Sequence, residues 1–252
     1  MKIWTGLLSV SLCAGCGAQG LESEAEAETW GETESALSNK DFSVDFTGCA
    51  EFAGIGFVPA ERARPLVPAS YALAGDAQNA IAVVRVASCQ DAVLDGKSLG
   101  ATITSQIGIT LAGGDPTADI NNYTVAYATN QGKLHARFQA AGLKVANRND
   151  LSLDLLGATL SADGPDFEVV GTSGTPTSAP TTFAASWWSD GKRGAVQSRT
   201  AFPDIRFGAS SSTLTTQLGT ELGELLGAAT MTFAVLDSYN TFATAHLEVR
   251  GD

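Results

Sequence analysis

Short apolar runs, some alternating with polar positions, recur from residue 42 to the end of the chain, and they predict about ten strands. The runs cover residues 42–46, 81–87, 103–111, 123–128, 151–155, 167–170, 183–188, 205–207, 231–236 and 242–249. Turn signals separate them, among them Asp95-Gly96, Gly113-Gly114-Asp115-Pro116 and Asp190-Gly191. Two segments follow the helical period instead. In 133–141, Leu134 and Phe138 stand four apart and Gly142 ends the pattern; in 218–226, Leu218, Leu222, Leu225 and Leu226 share one face before Gly227. The fold class expected is mainly β (α+β), a barrel-like antiparallel β domain with a few short helices. Residues 171–181, made of Gly, Thr, Ser, Pro and Ala, read as a loop inserted between strands. Ser210-Ser211-Ser212 reads as another loop, and Tyr239-Asn240 as a turn, with lining a pocket as the secondary reading.

The first forty residues follow neither pattern. Lys2 precedes an apolar run from Trp4 to Ala14, the length of an export signal and too short for the ~20 residues that span a bilayer. Ala14 and Gly15 before Cys16 resemble the lipobox of bacterial lipoproteins, with Cys13 where leucine is usual. That resemblance implies a signal peptide over 1–15, acyl chains on Cys16 and a bilayer as partner. From Gly17 to Asn39 there are six glutamates and no basic residue. A segment so charged and so poor in apolar side chains cannot offset its chain entropy, so 16–40 is expected to be a disordered acidic tether. Residues 41–252 are left as a single β-rich domain. Gly17, in place of an aspartate after the anchor cysteine, favours an outer over an inner membrane.

Charge narrows the partners. Of the formal net charge of −12, taking away the six tether glutamates, Lys2 and Lys40 leaves about −8 on residues 41–252. An acidic body argues against nucleic acid and against electrostatic docking on anionic lipid. If Cys13 leaves with the signal and Cys16 is acylated, Cys49 and Cys89 remain, and an exported pair is expected to form a disulfide. The alternative, a redox or nucleophilic thiol, has no Cys-x-x-Cys to support it.

Familiar chemical signatures are missing. His135 and His246 have no cluster of ligands at metal spacing, and no Gly-x-Ser-x-Gly elbow is present. Gly54-Ile55-Gly56 lacks the third glycine of a dinucleotide loop. No metal and no cofactor is expected. His135 sits on the solvent-leaning side of the first helix; His246, in the last strand, is a candidate for facing a cavity.

The order of segments over roughly 50–250 is similar to the acetoacetate decarboxylase superfamily. The likeness rests on Arg64-Pro65-Leu66-Val67-Pro68 followed by Tyr71-Ala72-Leu73, on the strand 80–86, and on Gly100-Ala101-Thr102 leading into Gln106-Ile107-Gly108-Ile109. It continues through Asn122-Tyr123, the helix 133–141 and Gly142-Leu143-Lys144 before Leu151-Ser152-Leu153. The resemblance implies a β-rich fold and, in the enzymes, a lysine that forms a Schiff base with a β-keto acid. Lys144 is the matching candidate for a catalytic residue. The turn around it lacks the family's proline and second lysine, and Gln106 stands where the family carries a carboxylate. Lys144 on a solvent-facing turn is the plain structural alternative.

Polar residues within apolar strands are the other candidates for ligand binding: Arg85, Gln106, Arg206 and His246. Arg85 and Arg206 either reach a cavity and an anionic ligand or pair with an acidic neighbour at a strand edge. Of Trp187 and Trp188, one indole is expected to enter the core and the other to be free for a surface or ligand contact. The leading expectation is a lipid-anchored, extracytoplasmic protein that binds a small organic or apolar ligand in a β-barrel cavity without turning it over. A Schiff-base decarboxylase or lyase, and a cell-surface structural or interaction lipoprotein, are the alternatives.

Overall fold

A computed structural model describes residues 41–191 and 194–251. The expected signal peptide, the lipidation site Cys16 and the tether lie outside the described residues. The strands are β1 (Phe42–Pro59), β2 (Asn79–Leu94), β3 (Lys97–Ser98), β4 (Thr102–Thr110), β5 (Ile120–Thr129), β6 (Ala146–Asn147) and β7 (Ser152–Leu156). They continue with β8 (Thr159–Gly164), β9 (Phe167–Ser173), β10 (Thr181–Gly191), β11 (Gly194–Thr216), β12 (Thr230–Thr232) and β13 (Leu236–Gly251). The helices are α1 (Ala60–Ala63), α2 (Gly132–Ala141) and α3 (Glu221–Leu226). Among the described residues no helix is long and apolar enough to cross a membrane.

The strands run in the order β10-β5-β4-β2-β1-β13-β11, and β11 pairs back onto β10, so the sheet is ring-like. Two seams keep the ring from being a fully bonded barrel. The closing pair β10–β5 is parallel and extends only from Ala185↔Ile120 to Trp188↔Tyr123, while β11 and β13 part between Ala201↔His246 and Arg206↔Thr241. The far half of β11 leaves the ring to pair with β9, which with β8 and β7 forms a wing. One apolar core fills the ring and includes Phe42, Val44, Phe46, Phe202, Phe242 and Leu247. Helix α2 contributes Leu134 and Phe138 to it, with Phe138 edge-on to Phe42 at 5.4 Å. A second core lies between the outer face of the ring and the wing, joining Phe52, Val84 and Ile109 to Leu160, Val169 and Leu225.

Local rules account for the elements that follow the expectation. Gly142 takes φ 101° at the end of α2, a left-handed cap that costs glycine little. Asp95 and Gly96 both have positive φ, as the two-residue hairpin between β2 and β3 requires. Helix α3 starts later than expected, because the Thr220 side chain accepts from the Gly223 amide and caps it there, leaving Leu218 exposed.

Other segments depart from the expectation. Ser210-Ser211-Ser212 is strand, not loop: Asp237 accepts from the Ser212 amide and from both the Ser210 and Ser212 hydroxyls, which lets this polar run stay in β11. Tyr239-Asn240 lies inside β13, where the register to β1 carries it through. Residues 171–173 of the expected loop belong to β9 and pair with β11. Gly54 and Gly56 are packing glycines: a Cβ at either would fall 2.4 Å from the Phe233 ring or 2.3 Å from Met231.

The β10–β5 seam is fastened by side chains. Asp115 accepts from the Thr117 amide at 2.8 Å, from Ser186 at 2.8 Å and from Gln197 at 3.2 Å, and it pairs with Arg199 at 3.2 Å. Burial opposes its ionisation, but the Thr117 and Ser186 hydrogen bonds and the Arg199 cation outweigh burial and hold the carboxyl at about 2. This lies below the ordinary aspartate value of about 3.9, so the unfolded chain takes up the proton first. The stabilisation is therefore complete above about pH 4 and is lost as pH falls toward the folded value. Urea unfolding between pH 5 and pH 2 is expected to show up to about 2 kcal/mol of pH-dependent stability that Asp115→Asn lacks. Equal slopes in the two proteins would show that this carboxyl does not supply it.

Candidate functional site

The inner face of the ring carries a band of polar side chains that crosses five neighbouring strands. Asn240 on β13 stands opposite Glu51 on β1, Arg85 on β2 stands opposite Gln106 on β4, and Gln106 stands opposite Tyr127 on β5. Glu51 and Arg85 are diagonal neighbours, since Ala53 is opposite Arg85 and Glu51 opposite Ala87. The Arg85 Nε is bonded to Glu51 Oε2, its Nη1 donates to Gln106 Oε1 at 2.7 Å, and Asn240 Nδ2 donates to Glu51 Oε1 at 3.2 Å. The guanidinium also lies over the Phe202 ring, 5.7 Å from its centroid. Burying a charge is tolerated only when it is paired and hydrogen-bonded, and here each charge has both a counter-ion and a neutral partner. Burial pushes the Tyr127 phenol well above its ordinary value, with the Arg85 cation acting the other way, so the hydroxyl keeps its proton.

Three members of this band, Glu51, Arg85 and Asn240, form one wall of a small interior cavity of about 50 Å³. Glu51, Arg85, Asn122 and Asn240 supply its polar lining. Its apolar lining includes the buried Trp187, Phe202 and Val83 and the partly buried Ile55, Phe183, Phe207 and Leu236. Trp187 fits because Gly108 lies beneath it: a Cβ there would be 2.5 Å from the indole and 2.8 Å from the Tyr123 carbonyl oxygen. Trp188 points the other way, donating to Asn121 at 3.3 Å and packing beside Tyr71 against the second core, so Trp187 enters the ring as expected while Trp188 is held by its neighbours rather than free at the surface.

Of the residues singled out from the sequence, the structure brings Arg85 and Gln106 together and leaves the rest elsewhere. Arg206 is exposed, donates to the Ser178 carbonyl at 2.8 Å and borders an open outer groove of about 740 Å³. His246 is on the outer face, its Nδ1 2.6 Å from Asp45 and its Nε2 3.7 Å from Glu248. Lys144 is exposed on the turn after α2, while Leu143 and Val145 on either side are buried. Cys49 and Cys89, directly opposed on β1 and β2, form the expected disulfide. Among the described residues no group of His, Cys, Asp and Glu is placed to hold a metal ion.

Sequence reasoning passed over Glu51, Asn122 and Tyr127 as site residues, and gave Asn240 a pocket lining only as its secondary reading. Glu51, the one charge within Cys49-Ala50-Glu51-Phe52-Ala53, carried a usable signal: a carboxylate at an apolar position of a strand needs a buried partner. Asn122 and Asn240 carried none, because asparagine is as common in turns as at polar strand positions.

No family model matches the chain. No curated protein matches it in sequence. Solved structures do match in fold. An acetoacetate decarboxylase from Legionella pneumophila subsp. pneumophila str. Philadelphia 1 is 10% identical, over 81% of this chain and 84% of that one, with a TM-score of 0.55. A second acetoacetate decarboxylase is 12% identical over 82% and 88%, also at 0.55. An acetoacetate decarboxylase-like enzyme from Sphingomonas wittichii RW1 is 11% identical over 85% and 92%, at 0.51. The ring, the wing and the helix that plugs the ring together are thus an acetoacetate decarboxylase-like fold.

Proposed function

We propose that this chain is an exported bacterial lipoprotein, held at the outer membrane through acyl chains on Cys16, whose body binds a small organic molecule in the ring cavity without turning it over. The anchor rests on the apolar run after Lys2, the small residues before Cys16 and the acidic spacer. One observation carries the binding reading. The charged pair on the cavity wall is Glu51 with Arg85, and the three lysines among the described residues, Lys97, Lys133 and Lys144, are all exposed. Schiff-base chemistry needs a free amine, made available by desolvation or a neighbouring cation. A fold shared with decarboxylases does not bring their activity with it; activity follows from the groups at the site.

The test is the intact mass of the membrane-extracted protein, before and after borohydride treatment in the presence of a panel of β-keto acids. An acyl mass on Cys16 with no reducible adduct is expected. An adduct that disappears in Lys144→Ala would overturn the non-catalytic reading and establish a Schiff-base lyase or decarboxylase. In a thermal-shift screen of small organic molecules, a ligand present at 100 times its Kd is expected to stabilise the protein by about 2.7 kcal/mol.

A further inference from the structure

We infer that the ligand is an unbranched aliphatic chain that enters the ring cavity end first, through the mouth opposite α2; the inference rests on the reading of that cavity as a binding site. The two ends of the ring differ. Beside Phe42, where β1 begins, α2 seats Leu134 and Phe138 in the ring, both 0% exposed. Toward the far end of β1 the inner face opens step by step. Glu51, Ala53 and Ile55 line the cavity, and the alternation that puts Phe52 and Val58 in the outer core turns Phe57 inward as well. Exposure along this face climbs from 5% at Glu51 and 8% at Ala53, through the partly buried Ile55, to 53% at Phe57. The neighbouring strands follow: on β2 the buried Val83 gives way to the partly buried Ile81, and on β10 Ala185 gives way to Phe183. Ile81 stands opposite Phe57, and Val83 and Leu236 both stand opposite Ile55. The mouth is therefore rimmed by large apolar side chains that run without a break into the cavity, a surface that water covers at a cost.

The cavity behind the rim selects the occupant. Its polar lining is turned on itself, Arg85 being bonded to Glu51 and Gln106 and Asn240 to Glu51, so the surface left facing the cavity is mostly apolar. A hydrocarbon end covers that surface and asks for no hydrogen bond. A charged end is rejected. A carboxylate meets Glu51 with Arg85 already paired, an ammonium meets Arg85 with Glu51 already paired, and either loses its hydration. Size then sets the shape. An apolar cavity of about 150 Å³ holds benzene. One of about 50 Å³ takes the end of a methylene chain and not a ring or a branched terminus. The rest of the chain lies against Ile55, Phe57, Phe183 and Leu236, and any polar head group stays in water beyond the rim.

The experiment titrates alcohols into the full chain carrying Cys16→Ser, so that no bilayer competes for the probe, and reads binding by calorimetry. From 1-butanol to 1-hexanol the affinity is expected to rise about fourfold per methylene, the value of one buried CH₂. The comparison that decides is 1-hexanol against 5,5-dimethyl-1-hexanol, which has the same length and a blunt end. The extra methyl groups would tighten binding to an open apolar surface; here they are expected to weaken it at least tenfold. Phe57→Asp, at an exposed position of the rim, is expected to weaken 1-hexanol about tenfold. 6-Bromo-1-hexanol carries its bromine at the inserted end and is expected to quench tryptophan fluorescence, and Trp187→Phe to lose most of that quenching. Equal or tighter binding of the blunt alcohol would overturn the inference while leaving the cavity a binding site. So would binding that neither Phe57→Asp nor Trp187→Phe alters. If no alcohol binds and the thermal-shift screen still finds a ligand, the inference alone fails; if both are blank, the binding reading fails with it. A dimer that Phe57→Asp dissociates, with no alcohol bound, would overturn the inference and make the rim an interface between two copies of the chain.

Discussion

Replacing Arg85 with leucine is expected to remove about 3–5 kcal/mol of unfolding free energy, because the Glu51 carboxylate is then left buried without its counter-ion. Glu51 is 5% exposed, and the Asn240 amide at 3.2 Å remains to it as a neutral donor that cannot replace a cation. The Gln106 carbonyl also loses its donor, and Phe202 loses the guanidinium over its ring. A second variant separates charge from packing. In Glu51→Gln combined with Arg85→Leu no charge is left to strand, so more than half of the lost stability is expected to return, read as urea midpoints at constant slope. If single and double variants melt alike, the cost lies in the cavity opened by truncation rather than in the stranded charge.

The double substitution Cys49→Ala and Cys89→Ala is expected to cost about 4 kcal/mol. The bridge closes a separation of 40 residues, and on the chain-entropy model a loop of that size restricts the unfolded ensemble by this amount. The two residues face each other on β1 and β2, whose ladder runs on in both directions from them, so the native strands lose little when the bridge is cut. The loss is thus expected on the unfolded side of the equilibrium. Urea unfolding with and without reductant checks it: the unaltered protein should become less stable on reduction, and the double variant should not respond. A reduced protein as stable as the oxidised one would remove the bridge from the account.

Much of the strand content was legible because an alternating pattern needs only its own few residues to declare itself. The continuation of β1 beyond Phe46 was not legible, and the reason is geometric. Phe42, Val44 and Phe46 face the ring interior, but past Gly48, with φ 60°, the inward positions become Cys49, Glu51 and Ala53. The neighbouring strands change phase at the same level, from Cys89 to Ala92 on β2 and from Phe242 to Ala245 on β13. A period-two reading breaks wherever the sheet bends, and glycines inside a strand, here Gly48, Gly54 and Gly56, carry no side chain to mark its faces. The band of polar residues was hidden for the same reason. Arg85 and Gln106 stood out as polar residues among apolar ones, yet nothing local joined them to each other or to Glu51.

Composition and pattern by themselves determined a strand-rich acidic body, two short helices ending at Gly142 and Gly227, the turn at Asp95-Gly96 and the eligibility of Cys49 and Cys89 to pair. Each is decided within a few residues, by side-chain alternation, by positive φ or by a count of thiols. Which polar groups meet was decided only by tertiary structure. The partners of the band are separated along the chain by 34 positions for Arg85 and Glu51, 21 for Arg85 and Gln106, and 189 for Asn240 and Glu51. Their meeting depends on strand order and register, which follow from closing the ring and covering its outer face with the wing. The same closure turned His246 and Arg206 outward and set Asn122 and Asn240 on the cavity wall.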